Sequence, residues 1–200
     1  MQLPFYFDYA CPWAYLGSCR VEPFFRDLGV EIDLRPVSLR VLYEPSADGA
    51  PMPKQGPRKQ QNLMNDLRHW AEMIGAEIAP IQPKERPDTS LLLRAALVAK
   101  DAGRLRELHY PAYRARWAEG RDVADPAIVR ALLEGAGFDA DAALARAKSP
   151  ELEKRLEAES RAAVERGVFG VPTIFVGDEM FWGNDRFELA RWYVLKANGR

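Results

Sequence analysis

An α/β fold interrupted by an all-helical insertion is predicted by three features of the sequence. Residues 3–35 carry a strand–helix–strand pattern, residues 170–196 carry strand–turn–strand–helix, and nearly everything between them repeats with helical period. The first strand is the aromatic run Leu3-Pro4-Phe5-Tyr6-Phe7-Asp8. A helix over 12–28 follows, with Trp13, Leu16, Val21, Phe24, Phe25 and Leu28 close to helical spacing and Gly29 as its stop. Glu31-Ile32-Asp33-Leu34-Arg35 then alternates with period two, as a half-exposed strand does. This βαβ unit should hold its two strands parallel, with a right-handed crossover.

From Tyr43 to Pro57 the prolines Pro45, Pro51, Pro53 and Pro57 predict a loop. Helical patterns follow at 58–74, 89–102, 104–119, 125–135, 139–147 and 150–166. Asp125-Pro126 and Ser149-Pro150 each put a capping residue before a proline at the first helical position. Gly170-Val171-Pro172 leads into a buried strand at 173–176, Gly177-Asp178 is a hairpin signal, and 179–182 is the return strand. A last helix opens at Gly183-Asn184-Asp185-Arg186 and runs to about Lys196. With the helical middle removed, β-α-β followed by β-β-α remains, which is the thioredoxin-like order. The expected organisation is a discontinuous thioredoxin-like domain, 1–40 and 167–200, with an inserted helical domain at 41–166.

Composition narrows the function. Twenty-eight Lys+Arg against 29 Asp+Glu leaves a formal charge of −1 in 200 residues, so no global field favours nucleic acid or an anionic membrane. Mean hydropathy is −0.32, charges interrupt every apolar run, and the N-terminus lacks a signal-peptide pattern, so a cytoplasmic location is the default. The two cysteines, Cys11 and Cys19, are too few for a disulfide scaffold or a cysteine-built zinc site. Eight residues of helix separate them by ~12 Å, beyond the ~7 Å limit for a bridge.

Cys11 is the leading catalytic candidate. It follows a strand and caps a helix that begins at Pro12, where free N–H groups and the helix dipole favour a thiolate and so a depressed pKa. The plain alternative is a small buried residue at a strand–helix junction. Cys11-Pro12-Trp13-Ala14 has the frame of a Cys-x-x-Cys turn with the second thiol missing, which argues against a dithiol oxidase. Cys19 reads as core packing. Val171-Pro172 reads either as a strand start or, in a thioredoxin-like frame, as a cis-proline loop opposite Cys11 that offers its backbone to an extended peptide. Asn184 and Asp185 read as helix capping, or as partners for the charged end of a ligand. Trp182 is core by default, otherwise a pocket wall. His69 and His109 have no partner at metal-ligand spacing and read as solvated or packed, so no metal is expected.

Phe7-Asp8-Tyr9-Ala10-Cys11-Pro12-Trp13-Ala14-Tyr15-Leu16-Gly17 and Gly167-Val168-Phe169-Gly170-Val171-Pro172-Thr173 resemble the DsbA-like superfamily. With Phe181-Trp182-Gly183-Asn184-Asp185-Arg186 the resemblance narrows to 2-hydroxychromene-2-carboxylate isomerases and kappa-class glutathione transferases, and it spans nearly the whole chain. It implies glutathione as cofactor: Val171 and Pro172 against its backbone, Asn184 and Asp185 at its γ-glutamyl end with Trp182 beside them, and Cys11, where the family usually has Ser, next to its sulfur. Pro53 stands where the family has Asn, so that contact does not carry over, and Lys54 or Lys59 is expected to take its place as a substrate-binding residue. The implied activity is a glutathione-dependent isomerisation of a bicyclic aromatic catabolite, by ring opening and cis–trans isomerisation through a thiolate adduct. The alternatives are a kappa-like glutathione transferase or peroxidase and a DsbA-like single-cysteine thiol–disulfide oxidoreductase. A homodimer is expected from the same resemblance.

Overall fold

The computed structural model describes residues 1–44, 56–80 and 87–199. Among the described residues, four strands form one sheet in the order β2-β1-β3-β4: β1 is Gln2–Phe7, β2 Glu31–Pro36, β3 Thr173–Val176 and β4 Glu179–Trp182. β1 and β2 are parallel, with Phe5 opposite Leu34; β3 runs antiparallel to both β1 and β4. This is the thioredoxin-like arrangement. β1 has neighbours on both sides, and its residues Leu3 to Phe7 are all buried. Its unbroken apolar run therefore serves two covered faces, whereas β2 at the sheet edge buries alternate residues.

Helix α1, Pro12–Phe25, packs on the sheet through Ala14, Leu16, Gly17, Val21 and Phe25, and a 3-10 turn carries the chain on to Leu28. Gly17 permits a close approach: a β-carbon there would sit 3.0 Å from the Pro172 ring. After β2 comes a single helical turn, α2, Leu39–Leu42, which the sequence patterns did not predict. Four residues are too few for a periodic signal. This turn is held from outside, by the Ser160 hydroxyl accepting from the Ser38 amide and the Asp8 carboxylate accepting from the Leu39 amide.

The intervening helices are α3 (Pro57–Ile74), α4 (Ser90–Asp101), α5 (Leu105–Trp117), α6 (Pro126–Gly135), α7 (Ala140–Ala147) and α8 (Pro150–Glu165). They lie within a few residues of the expected spans, and Asp125 and Ser149 make the capping bonds their positions predicted. α4 is buried almost all round because its apolar sequence packs among α5, α6, α7 and α8. Lys100 at its end bonds Asp33 and the Leu34 carbonyl, both at 2.8 Å, which ties this layer to β2. A 3-10 turn, Asn184–Arg186, precedes the last helix, α9, Phe187–Ala197.

Candidate functional site

Cys11 is the residue immediately before α1, with extended backbone dihedrals and no capping bond from its thiol. Its amide donates to the Asp8 carbonyl at 3.0 Å and its carbonyl accepts from Tyr15 at 3.1 Å, so the turn is fixed from both sides. The thiol donates instead to the Val171 carbonyl, 3.2 Å away. The Val171–Pro172 peptide bond is cis, as expected. The two segments that the sequence singled out, 160 residues apart, therefore meet at the thiol. Cys11 is partly buried, neither cysteine is in a disulfide among the described residues, and Ala14, in the place of a second redox thiol, is fully buried.

From Pro172 the line of candidate residues continues through its carbonyl, which accepts from the Gly183 amide at 2.9 Å. Gly183 has φ of 111°, a backbone conformation that favours glycine, and it delivers Asn184 and Asp185 beside the loop. Asn184 does not cap the helix. It is 3% exposed, lies inside the 3-10 turn, and its carbonyl accepts from Arg20 of α1. Its side-chain nitrogen is buried with no hydrogen-bond partner among the described residues. Asp185 is exposed and pairs with Arg186 at 2.7 Å.

The sequence reading needs correcting at two places. Trp182 is not core: it is 50% exposed and meets Phe169 edge-on, because β4 is an edge strand and turns Phe181, not Trp182, inward. Cys19 is also exposed, in a cleft lined by Ile74, Tyr110 and Arg114. Lys59 is exposed in the first turn of α3 and does not line the cavity at Cys11, while Lys54 lies outside the described residues. Of the histidines, His69 is exposed. His109 is fully buried, bonded to the Ser18 hydroxyl at 3.0 Å, and burial pushes its pKa down to about 3, so it is a neutral packing residue. Among the described residues no cluster of His, Cys, Asp and Glu could hold a metal, and no helix is long and apolar enough to cross a membrane.

Asp8 is the functional residue that the sequence reading missed. Its carboxylate is buried and accepts from the Ala10 amide at 2.9 Å, the Leu39 amide at 2.7 Å and the Thr89 hydroxyl at 2.7 Å. Burial raises its pKa, against the lowering effect of those three bonds. The carbonyls of Asp8 and Tyr9 accept from Tyr113 and Trp117 of α5. The Cys11 turn is thus braced by the helical layer. A cavity of about 640 Å³ opens beside it, lined by Cys11, Pro12 and Trp13 on one side and by Leu39, Arg40, Tyr43 and Pro87–Ser90 on the others. A thiol donor at a helix start, an adjacent backbone loop and an aromatic-walled cavity together suit a small-molecule reaction assisted by a thiol.

The sequence matches the DSBA-like thioredoxin domain over residues 2–193. It is 30% identical to the 2-hydroxychromene-2-carboxylate isomerase of Sphingobium xenophagum, covering 96% of this chain and 97% of that one. It is 24% identical to the human glutathione S-transferase kappa 1, over 92% of this chain and 86% of the other. The solved structure of a 2-hydroxychromene-2-carboxylate isomerase superposes with a TM-score of 0.81 at 28% identity, covering 100% of this chain and 98% of that one. The cysteine turn, the cis-proline loop and the helical layer therefore mark this chain as an enzyme that belongs to the DSBA-like thioredoxin family, in the group of the 2-hydroxychromene-2-carboxylate isomerases and kappa glutathione transferases.

Proposed function

We propose that the protein is a glutathione-dependent isomerase of a bicyclic aromatic acid, of the 2-hydroxychromene-2-carboxylate type, acting in aromatic catabolism. The observation that carries this reading is the Cys11 thiol, which donates to the Val171 carbonyl at the edge of the 640 Å³ cavity. The residues present fit glutathione. Asn184 keeps a buried amide nitrogen with no partner among the described residues, one residue from the Gly183 amide that bonds Pro172. A ligand carboxylate accepting from Asn184 would satisfy that nitrogen, and the exposed carboxylate of Asp185 suits an α-ammonium group. Val171 lies two residues before the start of β3, so its backbone remains outside the strand ladder for an extended peptide.

When bound, glutathione would supply a thiolate able to add reversibly to a conjugated C=C bond, which as a single bond can rotate. The protein's own part is positioning and electrostatics. Cys11 can exchange its carbonyl acceptor for an anionic sulfur, and the α1 N-terminus favours negative charge at the same place. Trp13, Leu39 and Tyr43 provide apolar wall for the rings. The homodimer and the cytoplasmic setting belong to the same proposal.

The test is turnover of 2-hydroxychromene-2-carboxylate with and without reduced glutathione. Turnover is expected to require glutathione and to leave its concentration unchanged. Equal rates without it overturn the reading. Net consumption with an electrophile or hydroperoxide would move the protein to the kappa-type transferases. A second reading, single-thiol disulfide exchange, is favoured only by the presence of Cys rather than Ser at position 11, and buried Ala14 leaves it without a resolving thiol.

A further inference from the structure

The cavity beside Cys11 has three charged side chains on its described walls: Asp8, Asp88 and Arg40. Both oxygens of Asp8 are occupied, one by Ala10 and Thr89 and the other by Leu39. Asp88 accepts from the Ser90 amide at 2.9 Å, and the Ser90 hydroxyl first and that amide second, more than Arg40 or Arg94 nearby, hold its carboxyl below the usual range. Arg40 is exposed and makes no hydrogen bond or ion pair among the described residues. Of the charged groups on these walls, its guanidinium is the one with donors to spare.

The base that carries Arg40 is rigid. Arg40 lies in α2, and the two amides before it are both anchored, Ser38 to the Ser160 hydroxyl at 2.9 Å and Leu39 to Asp8 at 2.7 Å. The other oxygen of the same Asp8 carboxylate accepts from Ala10, the residue before Cys11. One buried carboxylate therefore sets the spacing between the backbone that carries the thiol and the backbone that carries the guanidinium. Both face one cavity, whose volume of about 640 Å³ accommodates a bicyclic aromatic.

We propose that Arg40 is the specificity-determining residue of this cavity and binds the carboxylate of an aromatic acid whose rings lie against Trp13, Leu39 and Tyr43. The planar fork of a guanidinium takes a carboxylate through two parallel hydrogen bonds, which an ammonium cannot reproduce. The inference deepens the isomerase reading by naming what recognises the acid group. The preference for a carboxylate does not itself depend on glutathione chemistry.

The test uses 2-naphthoate and its uncharged counterpart 2-naphthamide as probes, titrated calorimetrically into the full-length protein and its Arg40→Gln and Arg40→Lys variants. Wild type is expected to bind the acid at least tenfold more tightly than the amide. Arg40→Gln should weaken the acid by about 10–100-fold, the range for a lost charge-assisted hydrogen bond, and leave the amide unchanged, which also shows that the cavity is intact. Arg40→Lys should fall between the two. Absence of a carboxylate preference in wild type, or its survival in Arg40→Gln, overturns the proposal. Failure of glutathione-dependent turnover with the naphthoate preference intact would remove the isomerase reading alone.

Discussion

Replacing Cys11 with alanine is expected to lower turnover by about 100–1,000-fold, the range seen when one donor to a developing anion is removed, while Cys11→Ser should stay within about tenfold of wild type. The reason is the geometry of the thiol. It already acts as a hydrogen-bond donor, to the Val171 carbonyl at 3.2 Å, from the residue that precedes α1. A hydroxyl placed there remains a donor and a methyl group does not. Steady-state kinetics of both variants at saturating glutathione make the comparison. A Cys11→Ser protein as inactive as Cys11→Ala would show that the sulfur reacts covalently, and it would shift the account toward a mixed disulfide.

Asp8→Ala is expected to destabilise the protein by about 3–5 kcal/mol, because it leaves the Ala10 amide, the Leu39 amide and the Thr89 hydroxyl buried without an acceptor. For a chain of this size that corresponds to a melting point lower by about 10 °C or more. Asp8→Asn keeps one acceptor oxygen and should cost less. The two substitutions also separate by pH. Burial holds the Asp8 pKa above its unfolded value, so the folded state binds more protons than the unfolded state between the two values. The stability that Asp8 contributes is thus full below about pH 3.9, the unfolded value, and declines as pH rises through the raised folded value. Urea denaturation across that window should show wild type losing stability relative to Asp8→Asn as pH increases. A flat difference, or one of opposite sign, would contradict the burial of this carboxylate.

How much of this was legible in the sequence depended on the range of the interaction. Periodicity and caps act within one or two turns, so the strands and the longer helices lie close to their expected limits, and Asp125 and Ser149 make the bonds that their spacing implies. Cys11 and Val171-Pro172 were legible as candidates because each carries its own local signature. Their meeting followed from the thioredoxin-like topology. Asp8 stood inside the same conspicuous segment, yet its role rests on Thr89, 81 residues away, and on a one-turn helix with no pattern of its own. Arg40 was hidden for the same reason. Trp182 and Cys19 were misjudged because an aromatic ring or a thiol reads as core in composition, whereas edge position and helix face decide its exposure. Asn184 shows the converse. A residue type that caps helices is here buried, and only the packing of α1 against the 3-10 turn reveals an amide without a partner.

The central claim is that glutathione lies along the line from Cys11 through Val171-Pro172 to Asn184 and Asp185. Calorimetric titration of reduced glutathione into wild type, Cys11→Ser and Asp185→Ala tests it most directly. The account predicts saturable binding at one site per chain, retained by Cys11→Ser and weakened about tenfold or more by Asp185→Ala, the loss expected for one charge-assisted contact. Absence of heat with wild type, or affinity unchanged in Asp185→Ala, would contradict it.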